Sequence, residues 1–288
     1  MLRAAPSPHS FDSFIDTQIR DLRERFGMAM WCLARKHGNQ WLVLRTIGKG
    51  YRLSAGDHFA WKDMICSCAT SQSAPAICPD TGLRTACQSA PITRQLNIKA
   101  YLSLPLEEQS GRPFGTLCAF DPAPQPQLRE SGVRDALQRQ RQLLEAALAW
   151  NLASLDEQRI REFIEEEGRD PETGLLDGAG WSRTVERERQ RCQSYGQTMH
   201  ILRLSGDTMD SIRREQLADS LAALIHKRDS AAHLGDGQFS VLLANSDLHR
   251  ALDMRNRILD ALNAKGMLMR CSIDPLTVTS RAPPYRTQ

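Results

Sequence analysis

The chain has 288 residues, more than one small core needs, so about two domains are expected. Hydrophobic residues make up 41% and charged residues 25%, an ordinary globular balance. With a net charge of +3, no dense Lys/Arg run and no apolar stretch of the roughly 18 residues a bilayer requires, neither nucleic acid nor a membrane is an expected partner.

The opening stretch MLRAAPSPHSFDSFIDTQ has one arginine and no apolar core behind it, so no secretory signal is read there. A cytoplasmic location is expected, with the eight cysteines reduced. Residues 11–26 carry Phe11, Phe14, Ile15, Ile19, Leu22 and Phe26 at helical spacing, with Ser10 as the expected N-cap. MAMWCLARK (28–36) and WLVLRTIG (41–48) read as strands joined by the turn HGNQ. Residues 53–98 read as irregular. IKAYLSLPL (98–106) and FGTLCAFD (114–121) are two further strands. After APQPQ (123–127), residues 128–166 read as one long helix. Its seam has Leu137, Leu144 and Asn151 seven apart, with Leu148 and Leu155 at the other core position and Arg141 as an imperfection. Such a seam serves either a parallel dimer or packing on its own domain. Beyond the loop GRDPETGLLD (168–177), a helix (181–195), a strand (199–204), a helix (213–227) and a strand pair around Gly235–Gly237 are expected.

Two resemblances follow from these segments. IKAYLSLPLEEQSGRPFGTLCAFDP (98–122) resembles the closing hairpin of GAF domains, and FAWKDMICSCATSQSAPAICPD (59–80) their pocket-covering segment. DPETGLLD (170–177), HLGDGQFSVLL (233–243) and MRCSIDP (269–275) resemble, in order, the opening loop, signature hairpin and later core strand of GGDEF domains, the diguanylate cyclases that condense two GTP into cyclic di-GMP. The resemblances imply an α+β or α/β chain in three parts. Residues 1–125 are a GAF-like antiparallel sheet with flanking helices, 126–167 a linker helix, and 168–288 a shortened GGDEF-like sheet with helices.

The second resemblance also implies lost catalysis. A cyclase holds Mg²⁺ on triphosphate oxygens with carboxylates. Arg203 aligns with the family's metal Asp, and a guanidinium repels a cation. In the signature Gly235, Asp236, Gly237, Gln238, Phe239, the second metal carboxylate is replaced by Gly237 and the following Glu by Gln238. Asp236 is one position early and is expected to point away by strand alternation. The stretch from Ser205 to Gly235 lacks room for the family's guanine-gripping loop and helix, and the tail SRAPPYRTQ does not resemble the family's last helix and strand. The family's product-inhibition Arg-x-x-Asp falls on HKRD: Asp229 matches, His226 stands at the Arg position, and Arg228 is two residues along. No cofactor and no metal are implied.

For the first domain the resemblance implies a small-molecule pocket, with Trp61, Asp63, Cys66, Cys68, Tyr101 and Ser103 as candidate lining. Cys66, Cys68, Cys78 and Cys87 fall within 22 residues. Their spacing fits zinc poorly, and Cys66 or Cys68 pairing with Cys78 or Cys87 is one redox option beside inert core thiols. The expected function is non-catalytic signalling: sensing of a small molecule or redox state, coupled to a degenerate interaction module. The expected partners are the ligand, a second copy through the linker helix, and another protein. The alternatives are a cyclic di-GMP or GTP receptor, a residual cyclase, and a thiol enzyme of the free methionine sulfoxide reductase type.

Overall fold

The opening helix, α1 (Pro8–Phe26), forms because Phe11, Ile15, Ile19, Leu22 and Phe26 recur every three or four residues and fall on one buried face. Ser10 lies inside it rather than capping it, since Pro8 already has the φ of a first helical turn. The computed structural model describes residues 8–69 and 74–276, and the chain divides into two units at Ser154/Leu155, inside the segment read as a linker.

In the first unit, β1 (Met30–His37) and β2 (Gln40–Gly48) form the expected hairpin, with His37 opposite Gln40. The interval read as irregular holds β3 (His58–Ala60), α2 (Ile65–Ala69), β4 (Ala76–Cys78), α3 (Thr85–Ser89) and α4 (Pro91–Gln95). Three-residue strands are too short to show alternation. The closing hairpin is β5 (Ala100–Glu107) and β6 (Pro113–Asp121). Every pairing is antiparallel and the order is β3-β2-β1-β6-β5-β4.

Alternation gives this sheet two faces. One bears Cys32, Ala34, Tyr101, Cys118 and Phe120, covered by Met64, Ile65, Cys66, Cys87 and Ile92 from the short helices. The other bears Trp31, Leu33, Leu102, Leu104 and Leu117. The long helix α5 (Val133–Glu165) buries Leu137, Leu144 and Leu148 within this unit, and Gln140 of α5 donates to Gln18 of α1. Arg141 is buried and paired with Glu145 and Glu107. The buried Asn151 amide donates to Ala147 O. The leucine seam is therefore covered inside a single chain. The exposed apolar residues of α5 here are Leu143 (47%) and Trp150 (59%), one heptad apart, with exposed Ala146 and Ala153 between and beyond them.

In the second unit follow α6 (Gly178–Tyr195), β7 (Met199–Ser205), α7 (Ser211–Leu224), β8 (Ser230–His233), β9 (Gln238–Leu243), α8 (Leu248–Ala264) and β10 (Arg270–Leu276). Asp177, Asp210 and Asp247 cap α6, α7 and α8 through backbone N–H groups of the first turn. The sheet order is β10-β7-β9-β8, again antiparallel, so the chain is mixed α+β rather than parallel α/β. Leu202, Leu204, Phe239 and Val241 pack with α7 and α8 on one face. Met199, Ile201 and Leu242 pack with Trp181 and Cys192 of α6 on the other. The tail SRAPPYRTQ lies outside the described residues.

The last part of α5 is held to α6 by charge. Buried Arg159 forks onto Glu188 at 3.0–3.1 Å and also reaches Asp156 and Gln197. Arg191 bonds Glu188 and Glu162. Glu166 receives Arg183, Arg187 and Gly168 N–H, which holds its carboxyl at about 2.

Candidate functional site

The signature segment is a tight turn between β8 and β9. Leu234 N–H donates to Gln238 O, and Gln238 N–H to Gly235 O. Asp236 was expected to follow strand alternation, but it is not on a strand. It occupies the turn with φ +45° and is exposed. Gln238 is exposed as the first residue of β9, and Phe239 is buried. Gly237 is buried with φ +69°. A Cβ there would meet the carbonyl oxygens of Asp207 and Gly206 at 2.8 and 2.9 Å. The place of a side chain at Gly237 is thus taken by the loop after β7, whose Gly206 N–H donates to Gly237 O.

Arg203 on β7 is exposed and donates to Asp274 of β10 at 2.6 Å. Beside the turn, a cleft of about 380 Å³ is lined by Ser205, Gly206, Asp207, Leu268, Met269 and Arg270. Asp207 is its one carboxylate. Among the described residues no group of three His, Cys, Asp or Glu side chains can hold a metal ion. One helix, α7, joins β7 to β8.

The Arg-x-x-Asp equivalent is internally satisfied. Asp229 is buried, with one oxygen accepting from Ala244 N–H at 2.9 Å and the other from His226 N–H and Arg250 at 3.1 and 2.8 Å. His226 stands at the end of α7, and Arg228 reaches toward Asp156 at 3.6 Å. Sequence reasoning missed His233. It stacks on Phe239 at 4.7 Å, with Nδ1 3.3 Å from Asp170 of the DPETG loop. Burial raises the Asp170 carboxyl, but hydrogen bonds from Thr173 and His233 outweigh it and leave it lowered.

The candidate pocket residues of the first unit separate into two groups. Trp61 and Asp63 lie half-buried near the β1–β2 hairpin, where Lys36 covers the Trp61 ring at 4.8 Å and Trp61 N–H donates to Asn39 O. Tyr101 and Ser103 are buried on β5, and Cys66 is buried on α2 against the same face of the sheet. The side chain of Cys68 lies outside the described residues.

Alternation and register converge a polar cluster in this apolar layer. Cys32 lies opposite Cys118, and Cys118 lies opposite Ser103. Cys118 Sγ is 3.4 Å from Tyr101 Oη and 3.2 Å from Thr116 Oγ1, which accepts from Trp41 Nε1 at 3.0 Å. Cys66 and Cys32 both contact Cys118, and burial pushes both thiols well up. Tyr51 Oη is buried without a hydrogen-bond partner, and the buried Ser103 Oγ has only a weakly aligned contact with Tyr101. Tyr51, which the sequence did not single out, stands edge-on to Phe120 at 6.0 Å. The fold therefore joins Cys66 to Cys118 and Cys32, and Cys78 to Cys87.

No protein-family model and no curated protein matches this sequence. Solved structures match parts of it. The GGDEF domain of FimX from Pseudomonas aeruginosa is 15% identical over 40% of this chain and 83% of that one, with a TM-score of 0.36. The red/green cyanobacteriochrome NpR6012g4, in its red-light-absorbing state, is 15% identical over 50% and 96%, with a TM-score of 0.41. A free methionine-R-sulfoxide reductase from Neisseria meningitidis, in complex with its substrate, is 14% identical over 52% and 84%, also at 0.41.

Proposed function

We propose that this chain is a cytoplasmic signalling protein in which a GAF-like sensor unit is joined through α5 to a degenerate GGDEF-like unit that makes no cyclic di-GMP. One observation carries the reading: the carbonyls of Gly206 and Asp207 fill the space where position 237 would need a metal-binding carboxylate. Neutral carbonyl dipoles do not supply the carboxylates that Mg²⁺ on a triphosphate takes, and the exposed Arg203 presents the wrong sign. The second unit then works as a protein-binding surface. On the sensor side, the unpartnered Tyr51 Oη and the weakly held Ser103 Oγ are polar handles for a small ligand.

The test is calorimetric titration with GTP and cyclic di-GMP in Mg²⁺, with a parallel product assay. The expected result is neither binding nor product. Cyclic di-GMP binding alone would make the protein a receptor, and product formation would overturn the non-catalytic assignment.

The self-association we propose uses the exposed face of α5 rather than its leucine seam. Leu143 and Trp150 at one heptad position, with Ala146 and Ala153 at the other, form a short apolar stripe. Trp150→Glu should convert a dimer to a monomer in light scattering with the unfolding midpoint unchanged. A wild-type chain that is monomeric at micromolar concentration would end this part of the proposal.

A further inference from the structure

Cys78 ends β4, the edge strand, opposite Tyr101 of β5. The chain turns through Asp80–Arg84 and returns as α3. Among residues 82–89 only Cys87 is buried; Arg84, Thr85, Ala86, Gln88 and Ser89 are all exposed. Its sulfur therefore points inward from a helix whose other side faces solvent, one residue layer beneath the surface, and meets the Cys78 sulfur in a hydrogen bond. The Cys78 S–H has a second acceptor, Asp80 O at 3.5 Å.

Arg84 Nη1 donates to Ile77 O at 2.9 Å, which holds the guanidinium beside both cysteine-bearing segments. The two thiols are inequivalent. The hydrogen bond from Cys78, helped by the Arg84 charge, lowers the Cys87 thiol, while the same contact and burial raise that of Cys78. A groove of about 640 Å³, lined by Thr85, Gln88, Ser89, Arg94 and Lys99 among others, runs along the same helix. Cys32 and Cys118, by contrast, lie on the central strands β1 and β6 beneath the covering helices.

We propose that Cys78 and Cys87 are a peroxide-responsive thiol pair that closes reversibly to a disulfide. The Cys87 thiolate attacks one oxygen of a hydroperoxide. An S–O bond forms, the O–O bond breaks, and the departing alkoxide or hydroxide takes a proton, leaving Cys87 as a sulfenic acid. The Cys78 sulfur then attacks Cys87. The S–S bond forms, the S–O bond breaks, and hydroxide takes the Cys78 proton and leaves as water. Two thiols are oxidised by two electrons, and one hydroperoxide is reduced to an alcohol, or to water, plus one water. The bond ties the edge strand to the segment that covers the pocket face. It deepens the sensor reading, yet the cross-link is read on the chain alone, so it fails separately from the nucleotide titration.

The reduced full-length chain is treated with hydrogen peroxide, blocked with N-ethylmaleimide in denaturant, and analysed by intact mass and tryptic mapping, where cleavage after Arg84 separates the two cysteines. The expected result is loss of two of the eight alkylatable thiols, a Cys78–Cys87 cross-link, and full reversal by dithiothreitol. Cys78→Ser should stop at a dimedone-reactive Cys87, and Cys87→Ser should give neither product, with both variants matching wild type in circular dichroism. A cross-link between Cys66 and Cys118 instead, or eight thiols surviving excess peroxide, would overturn the proposal.

Discussion

Two buried regions hold polar groups of opposite kinds. The mid-sheet layer of the first unit hides neutral ones: Tyr101, Ser103, Thr116 and the thiols of Cys32, Cys66 and Cys118. The anchoring contacts of the second unit hide charges: Arg159, Glu188, Arg191, Glu166 and Asp229. Removing an ion from water costs far more than removing a hydroxyl or thiol. Each of those charges consequently has at least one ionic partner, and all are locked into structure. Neutral groups tolerate incomplete pairing, so Tyr51 Oη, beside that layer, stands unpartnered. Unused chemistry is therefore found around the neutral layer, and rigid anchorage in the charged contacts.

Breaking the charged network should have the largest effect. Arg159→Met leaves Glu188 with Arg191 alone and should cost about 3 kcal/mol in denaturant unfolding, with partial recovery in Arg159→Met/Glu188→Leu. A loss below about 1 kcal/mol would put the pair in the class of exposed salt bridges and undo the comparison. Next comes Gly237→Asp, which places a carboxylate in the turn but drives Cβ into two carbonyls. It should destabilise the second unit by about 2 kcal/mol without creating product.

Acid titration sharpens the contrast through Glu166. Its carboxyl is lowered from 4.5 to about 2, first by the Arg183 hydrogen bond, against some burial, and then by Gly168 N–H and Arg187. A carboxylate lowered in the folded state contributes stability above its unfolded pKa and loses it as pH falls through the folded one. The second unit should accordingly lose stability between about pH 4.5 and 2, and Glu166→Gln should flatten that decline in thermal unfolding. The smallest effect belongs to the neutral layer. Ser103→Ala removes a buried hydroxyl whose one side-chain neighbour for hydrogen bonding is Tyr101 and should change the stability of the first unit by less than about 1 kcal/mol. A larger loss would mean that Ser103 and Tyr101 share a well-formed hydrogen bond.

Much of the fold was legible where patterns are long. The stripe Phe11–Phe26 is a helix, and the β1–β2 and β5–β6 hairpins sit where alternation and turn residues put them. The segments β3 and β4 escaped because three residues carry no period. The leucine heptads of α5 announced a buried seam but not its cover, since heptad spacing is the same whether the covering surface is a second helix or the chain's own. Asp236 was misplaced because strand alternation was extended into a turn.

At the candidate sites, the identities of Arg203, Gly237 and Gln238 are visible in the sequence, and so is their chemistry. That Gly206 and Asp207 carbonyls occupy the space beside Gly237 is not, because those residues lie thirty positions upstream and meet the turn only through the β7–β9 pairing. The cysteine partners were equally hidden. Spacing suggested Cys66 or Cys68 with Cys78 or Cys87, whereas the β1–β6 register brings Cys32 and Cys118 together beneath Cys66. Local sequence determines periodicity, caps and turn chemistry, because these depend on neighbours along the chain. Which thiols touch, which carboxylates are already bonded and which helix face stays open were decided by tertiary structure alone, because each depends on strand register between residues far apart in sequence.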